Sequence, residues 1–113
     1  MKVTWKEGDR IQLLNLLTRR ENSRGAYDYV LLNTKVKKRF NLTEAEIEKI
    51  GLVQNDGQVQ YNPALESESE FELTEEEVGH IKGLIQKDID AKATLEEITV
   101  AFYQKFMEAI PAE

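Results

Sequence analysis

The chain contains no cysteine, only two prolines and a single histidine. Without cysteine there is no disulfide scaffold and no thiolate zinc site, and the composition fits a reducing compartment. No run of ~18 apolar residues occurs, and no charged segment leads into an apolar one, so neither a membrane span nor a secretory leader is expected. The glycines at 8, 25, 51, 57, 79 and 83 form neither of the glycine-rich phosphate loops, which disfavours nucleotide hydrolysis. Serine occurs only at 23, 67 and 69, all in polar, loop-like stretches, and the lone histidine, His80, falls mid-helix beside Ile81. No Ser/His/Asp set follows from this, and His80 reads as an ordinary, partly exposed helix residue. The expected protein is soluble and cytoplasmic, with no enzymatic activity, no cofactor and no metal site.

What is present is a set of helix starts. Leu42-Thr43-Glu44-Ala45-Glu46-Ile47, Leu73-Thr74-Glu75-Glu76-Glu77-Val78 and Ala93-Thr94-Leu95-Glu96-Glu97-Ile98 each place Thr-x-x-Glu between apolar residues. In that pattern the threonine oxygen accepts from the N–H three residues on, the glutamate reaches back to the threonine N–H, and the apolar pair staples the entry. Helices are therefore expected to begin near 44, 75 and 95.

The 113 residues suit one domain, 1–113, able to bury a modest core. Lys2 to Trp5 alternates as a short strand. Asp9, with Gln12 at the box position, opens a helix over about 10–20 with Ile11, Leu13, Leu14, Leu16 and Leu17 on its apolar face. A second helix runs from Ala26 to Phe40 on Tyr29, Leu32, Val36 and Phe40, and the third stops at Gly51. The period then changes to two, and Asn55-Asp56-Gly57 joins 52–54 to 58–61 in a hairpin. Residues 62–70 read as a mobile connection into a strand at 70–73. A fourth helix over 75–90 uses Val78, Ile81, Leu84, Ile85 and Ile89. The fifth, over 95–109, uses Leu95, Ile98, Phe102, Phe106 and Ile110, with Tyr103 and Met107 flanking and Pro111 at its end. The fold expected is α+β and mainly helical: about five helices with a small antiparallel sheet made of the hairpin and strand 70–73.

The net charge of −6 conceals a division: residues 1–50 carry 11 Lys/Arg against 7 Asp/Glu, and residues 51–113 carry 4 against 14. So acidic a second half disfavours broad contact with nucleic acid or anionic lipid. Glu66, Glu68, Glu70 and Glu72 share one face of an alternating segment and form the first candidate interaction surface, for a basic partner; a solvated edge resisting aggregation is the bland alternative. Lys35, Lys37, Lys38 and Arg39 form the second. A helix pair followed by a hairpin resembles a winged helix-turn-helix, but Glu44, Glu46 and Glu48 on the would-be reading helix oppose phosphate. A protein partner is expected, with self-association and a nucleic-acid-binding regulator behind it.

The segments Leu13-Leu14-Asn15-Leu16-Leu17, Phe40 to Ile47, Gly57 to Asn62, and Lys92 to Leu95 with Tyr103-Gln104-Lys105-Phe106 resemble, in order and spacing, a group of small uncharacterised bacteriophage and prophage proteins. The resemblance spans about residues 10–107 and brings no catalytic residues with it. It implies a phage origin and action inside a bacterial host or within a virion; the missing catalytic set and the charge division make the expected partner a host or phage protein, in the host cytoplasm, with a virion or assembly component as the alternative.

Overall fold

A computed structural model describes residues 1–55 and 58–110. Its elements in order are β1 (Lys2–Trp5), α1 (Glu7–Thr18), α2 (Tyr27–Phe40), α3 (Glu44–Ile50), β2 (Val53–Asn55), β3 (Gln58–Gln60), a 3-10 turn (Pro63–Leu65), β4 (Ser69–Glu72), α4 (Glu75–Asp90) and α5 (Glu97–Ala109). The α+β architecture with five helices is the one the sequence implies. The expected turn at Asp56-Gly57 and the stop at Pro111 lie outside the described residues.

Two of the three capping boxes form. Thr43 Oγ1 accepts from Glu46 N at 3.2 Å while Glu46 Oε1 accepts from Thr43 N at 3.0 Å. Thr74 and Glu77 repeat the pair at 3.1 and 2.9 Å. At the other end of α3, Gly51 takes the left-handed conformation at φ 67° and Leu52 N donates to Ile47 O, closing the helix.

The third box does not form, and α5 begins at Glu97 rather than 95. The preceding helix accounts for this. Lys92 sits at φ 51°, Lys92 N donates to Ile89 O and Ala93 N to Asp88 O, a Schellman closure of α4 that occupies the chain up to Thr94. Leu95 then packs against the core instead of entering a helix. The first helix also differs, starting at Glu7, with Asp9 Oδ2 reaching back to accept from Lys6 N at 2.9 Å. Asp9 is thus inside the helix and not its cap.

The strands form two separate two-stranded antiparallel sheets, β1 with β4 and β2 with β3, so the expected single sheet of hairpin plus 70–73 is corrected. The register Val3↔Phe71 explains the choice. It sets two apolar side chains side by side over the core, which the three-residue hairpin strands cannot offer. Trp5 lies at the centre, with ring centroids of Phe40, Phe102, Phe71 and Phe106 at 5.3, 5.7, 6.0 and 6.4 Å. Leu13, Leu16 and Leu17 of α1 and Ile81, Leu84 and Ile85 of α4 complete the cluster. Two expected core residues are half exposed, Ile89 and Ile98, both at 48 %. Tyr103, expected at the flank, is buried instead.

Candidate functional site

The buried ionisable side chains join one element to another. Arg19 places both carboxylate oxygens of Asp88 within 2.6–2.7 Å of Nη1, and Tyr103 donates to Asp88 Oδ2 at 2.5 Å. This knot ties α1, α4 and α5. Burial first, and then the Asp88 acceptor, push the Tyr103 hydroxyl well above the usual tyrosine range, so it stays a neutral donor. Arg10 pairs with Glu46 across α1 and α3 and stacks on the Phe71 ring at 5.5 Å.

A second cluster, invisible in the sequence, joins Glu7, Lys49 and Ser67. Lys49 Nζ reaches Glu7 Oε1 at 2.6 Å and also Ser67 Oγ, while Ser67 N and Oγ donate to Glu7 at 2.8 and 3.1 Å. A serine touching a lysine invites comparison with nucleophile–base pairs, where the lysine must be free to take a proton. Here the carboxylate decides. Burial alone would raise Glu7, but the Lys49 ammonium and the Ser67 donors hold it at about 2. With Glu7 firmly ionised and accepting from both side chains, the arrangement reads as an ion pair, buried at Glu7 and half exposed at Lys49, that fastens the 62–68 segment to α1 and α3.

The same segment removes Glu66 from the expected acidic face. Its carboxylate accepts from Gly8 N at 2.7 Å at the start of α1, off the β4 strand. A Cβ on Gly8 would meet Tyr61 Oη at 2.4 Å and Glu66 Oε2 at 2.7 Å, which is why glycine stands there. Glu72 stands opposite Lys2 in the β1–β4 register and its Oε1 accepts from the Met1 amine at 3.4 Å. Glu68 and Glu70 are exposed without a hydrogen-bond partner among the described residues, so the four-carboxylate field is reduced to two.

The basic segment is divided in the same way. Arg39 pairs with Glu77, donates to Glu72 O and lies 5.0 Å from the Phe40 ring centroid. Lys35 and Lys38 are exposed and Lys37 half-buried, and none of the three makes an ion pair among the described residues. Residues three and four apart share a helix face, and Tyr27, Leu31, Lys35 and Lys38 fall within about 80° of the α2 circumference. Tyr27 is 78 % exposed and Leu31 39 %. The result is an outward stripe with an apolar end and a basic end, bordered by Asp28 and Glu76.

His80 is not the partly exposed residue expected. It is 8 % exposed, its Nε2 lies 2.8 Å from Asn33 Oδ1, and its ring meets Tyr29 edge-on at 5.1 Å. It lines a cleft of about 640 Å³ between the start of α2 and the middle of α4, where Gly79 and Gly83 leave no side chains. Two glycines four apart within a predicted helix were the available sequence signal for it, because that spacing clears one face.

Among the described residues no three His, Asp or Glu side chains converge to hold a metal ion, and no helix is long and apolar enough to cross a membrane. No protein-family description, curated protein or solved structure matches the chain.

Proposed function

We propose that this chain is a non-enzymatic, phage-type protein that acts in the bacterial host by binding another protein through the outward stripe of α2. The observation that carries the reading is the stripe itself: exposed Tyr27 and Leu31 continuing into Lys35 and Lys38 on one helix face. Aromatic anchors beside unpaired cations are the composition of binding hot spots, and an isolated exposed tyrosine would have no such significance. The complementary partner is an acidic protein surface carrying an apolar pocket. Coulombic attraction to Lys35 and Lys38 speeds encounter, and burial of Tyr27 and Leu31 supplies affinity. Asp28 and Glu76 at the border would set register by repelling misplaced carboxylates.

The knots described above support the non-enzymatic half of the reading, since Glu7, Lys49, Ser67, Arg19, Asp88 and Tyr103 engage one another across the fold. The acidic strand face is the weaker surface because Glu66 is held by Gly8. A photo-crosslinking residue at position 27, in chain expressed in bacterial cells, should give a discrete adduct that disappears with Lys35→Glu/Lys38→Glu. An adduct formed from position 70 and not from position 27 would move the interface to β4.

A further inference from the structure

The cleft beside His80 combines features that the outward stripe of α2 does not use. Asn33 settles the histidine's tautomer. Asn33 Nδ2 donates to Leu17 O at 2.9 Å, so its Oδ1 is the atom facing His80, and Nε2 must carry the proton. Nδ1 is then a bare lone pair, and it has no hydrogen-bond partner among the described residues. Burial lowers the histidine's proton affinity, which favours this neutral form.

The mouth of the cleft favours an anion. Arg24 and Lys87 line it, exposed and without ion-pair partners among the described residues. Ala26, the first residue before α2, provides no side-chain cap, so the N–H groups of the first turn are free of side-chain acceptors at the positive end of a 14-residue helix, with Asp28 in the same turn on the side of the outward stripe. Glu21 also lines the cleft but lies in the field of Arg19. The floor is apolar and open: ideal Cβ atoms built on Gly79 and Gly83 meet nothing within 4 Å, and the Tyr29 ring and Leu84 form the walls. The volume lies within the range of pockets that hold small molecules.

We propose that this cleft binds a small organic anion: its carboxylate or phosphate is held by Arg24, Lys87 and the α2 first-turn N–H groups, its flat apolar body lies between Tyr29 and the Gly79–Gly83 floor, and its own N–H or O–H donates to His80 Nδ1. The site shares the first turn of α2 with Tyr27 of the outward stripe but none of Leu31, Lys35 or Lys38, so Gly83→Leu and Lys35→Glu/Lys38→Glu test the two surfaces independently.

The probes are indole-3-acetate, which has all three features, its 1-methyl derivative, which lacks the donor, and indole, which lacks the anion. Titrated into the full ¹⁵N-labelled chain, indole-3-acetate should give saturable amide shifts centred on Tyr29, Gly79 and Gly83. Methylation should weaken binding about threefold or more, the scale of one neutral hydrogen bond. Arg24→Ala/Lys87→Ala should weaken it about tenfold, as expected for losing charge-assisted contacts. Gly83→Leu should abolish the shifts by filling the floor while leaving the helical circular dichroism intact. Indol-3-ylmethylphosphonate, which keeps the ring and its N–H, binding more tightly than indole-3-acetate would identify the anion as phosphate-like, and the reverse order as carboxylate. Absence of saturable shifts, or shifts undiminished by Gly83→Leu, would overturn the site, and equal binding of the methylated probe would overturn the role of His80.

Discussion

Glu7→Gln tests the Glu7–Lys49 ion pair most sharply because it removes the buried charge and almost no volume. Glu7 is 2 % exposed and receives Lys49 Nζ at 2.6 Å and Ser67 N at 2.8 Å. Its carboxyl is brought from an ordinary 4.5 to about 2. A displacement of that size corresponds to about 3 kcal/mol of folding stability at neutral pH. The glutamine still accepts from Ser67 N, and the 43 % exposed Lys49 side chain can regain water, so the expected loss is about 2–3 kcal/mol. The pH dependence distinguishes ionisation from shape. A carboxyl depressed in the folded state contributes fully above its ordinary value and loses that contribution as pH falls through the folded one. Urea unfolding of both proteins from about pH 8 to pH 3 should therefore show a constant gap above about pH 5.5 that narrows below about pH 4.5, by up to about 1.4 kcal/mol per pH unit. A gap at about pH 3.5 equal to that at neutral pH would mean that the Glu7 charge contributes nothing and that the variant suffers only a packing defect.

The caps give a matched pair: Thr74→Ala, which loses a formed box, should cost about 1 kcal/mol in denaturant unfolding, whereas Thr94→Ala, where no box forms, should leave the midpoint unchanged. Gly83→Ala should stabilise by about 0.5–1 kcal/mol, since the added methyl meets nothing and helix propensity improves; a lowered midpoint would mean that the helix interior is under constraint. Gly8→Ala should lower the thermal midpoint, because the methyl meets Tyr61 Oη and the Glu66 carboxylate, and Tyr61→Phe, which removes the nearer of the two atoms, should partly relieve the loss. Phe106→Ala, in a fully buried position against Trp5, should cost about 3–5 kcal/mol by calorimetry.

The parts of the fold legible in the sequence were those written in local chemistry. Thr43 with Glu46, Thr74 with Glu77, and Gly51 each satisfy backbone groups within a few residues of themselves, so their patterns predict α3 and α4 to the residue. The failed start at Thr94 shows the limit. Its pattern competes with a Schellman closure using Lys92, a residue that does not advertise a left-handed position as glycine does. Sheet pairing was also hidden, because β1 and β4 lie far apart in the chain and only the apolar match of Val3 with Phe71 selects them. The same distance hid the chemistry: Glu7 meets Ser67 and Arg19 meets Asp88 through the finished fold alone. Glu66, Glu68, Glu70 and Glu72 looked equivalent by alternation, yet the turn at Pro63–Leu65 carries Glu66 onto α1 and breaks the set. His80 looked unremarkable because its partner, Asn33, lies on another helix.

The proposed contact of a protein partner with the outward stripe of α2, and not with the acidic face of β4, is decided by charge reversal on each surface. Affinity of the partner recovered by crosslinking at position 27 should be measured side by side for the wild-type chain, Lys35→Glu/Lys38→Glu and Glu68→Lys/Glu70→Lys, all confirmed folded by circular dichroism. A loss of about tenfold or more is expected for the lysine reversal and a change within about twofold for the glutamate reversal, since removing complementary charge weakens association and distant charge is screened. Unchanged binding by the lysine reversal together with loss in the glutamate reversal would contradict it.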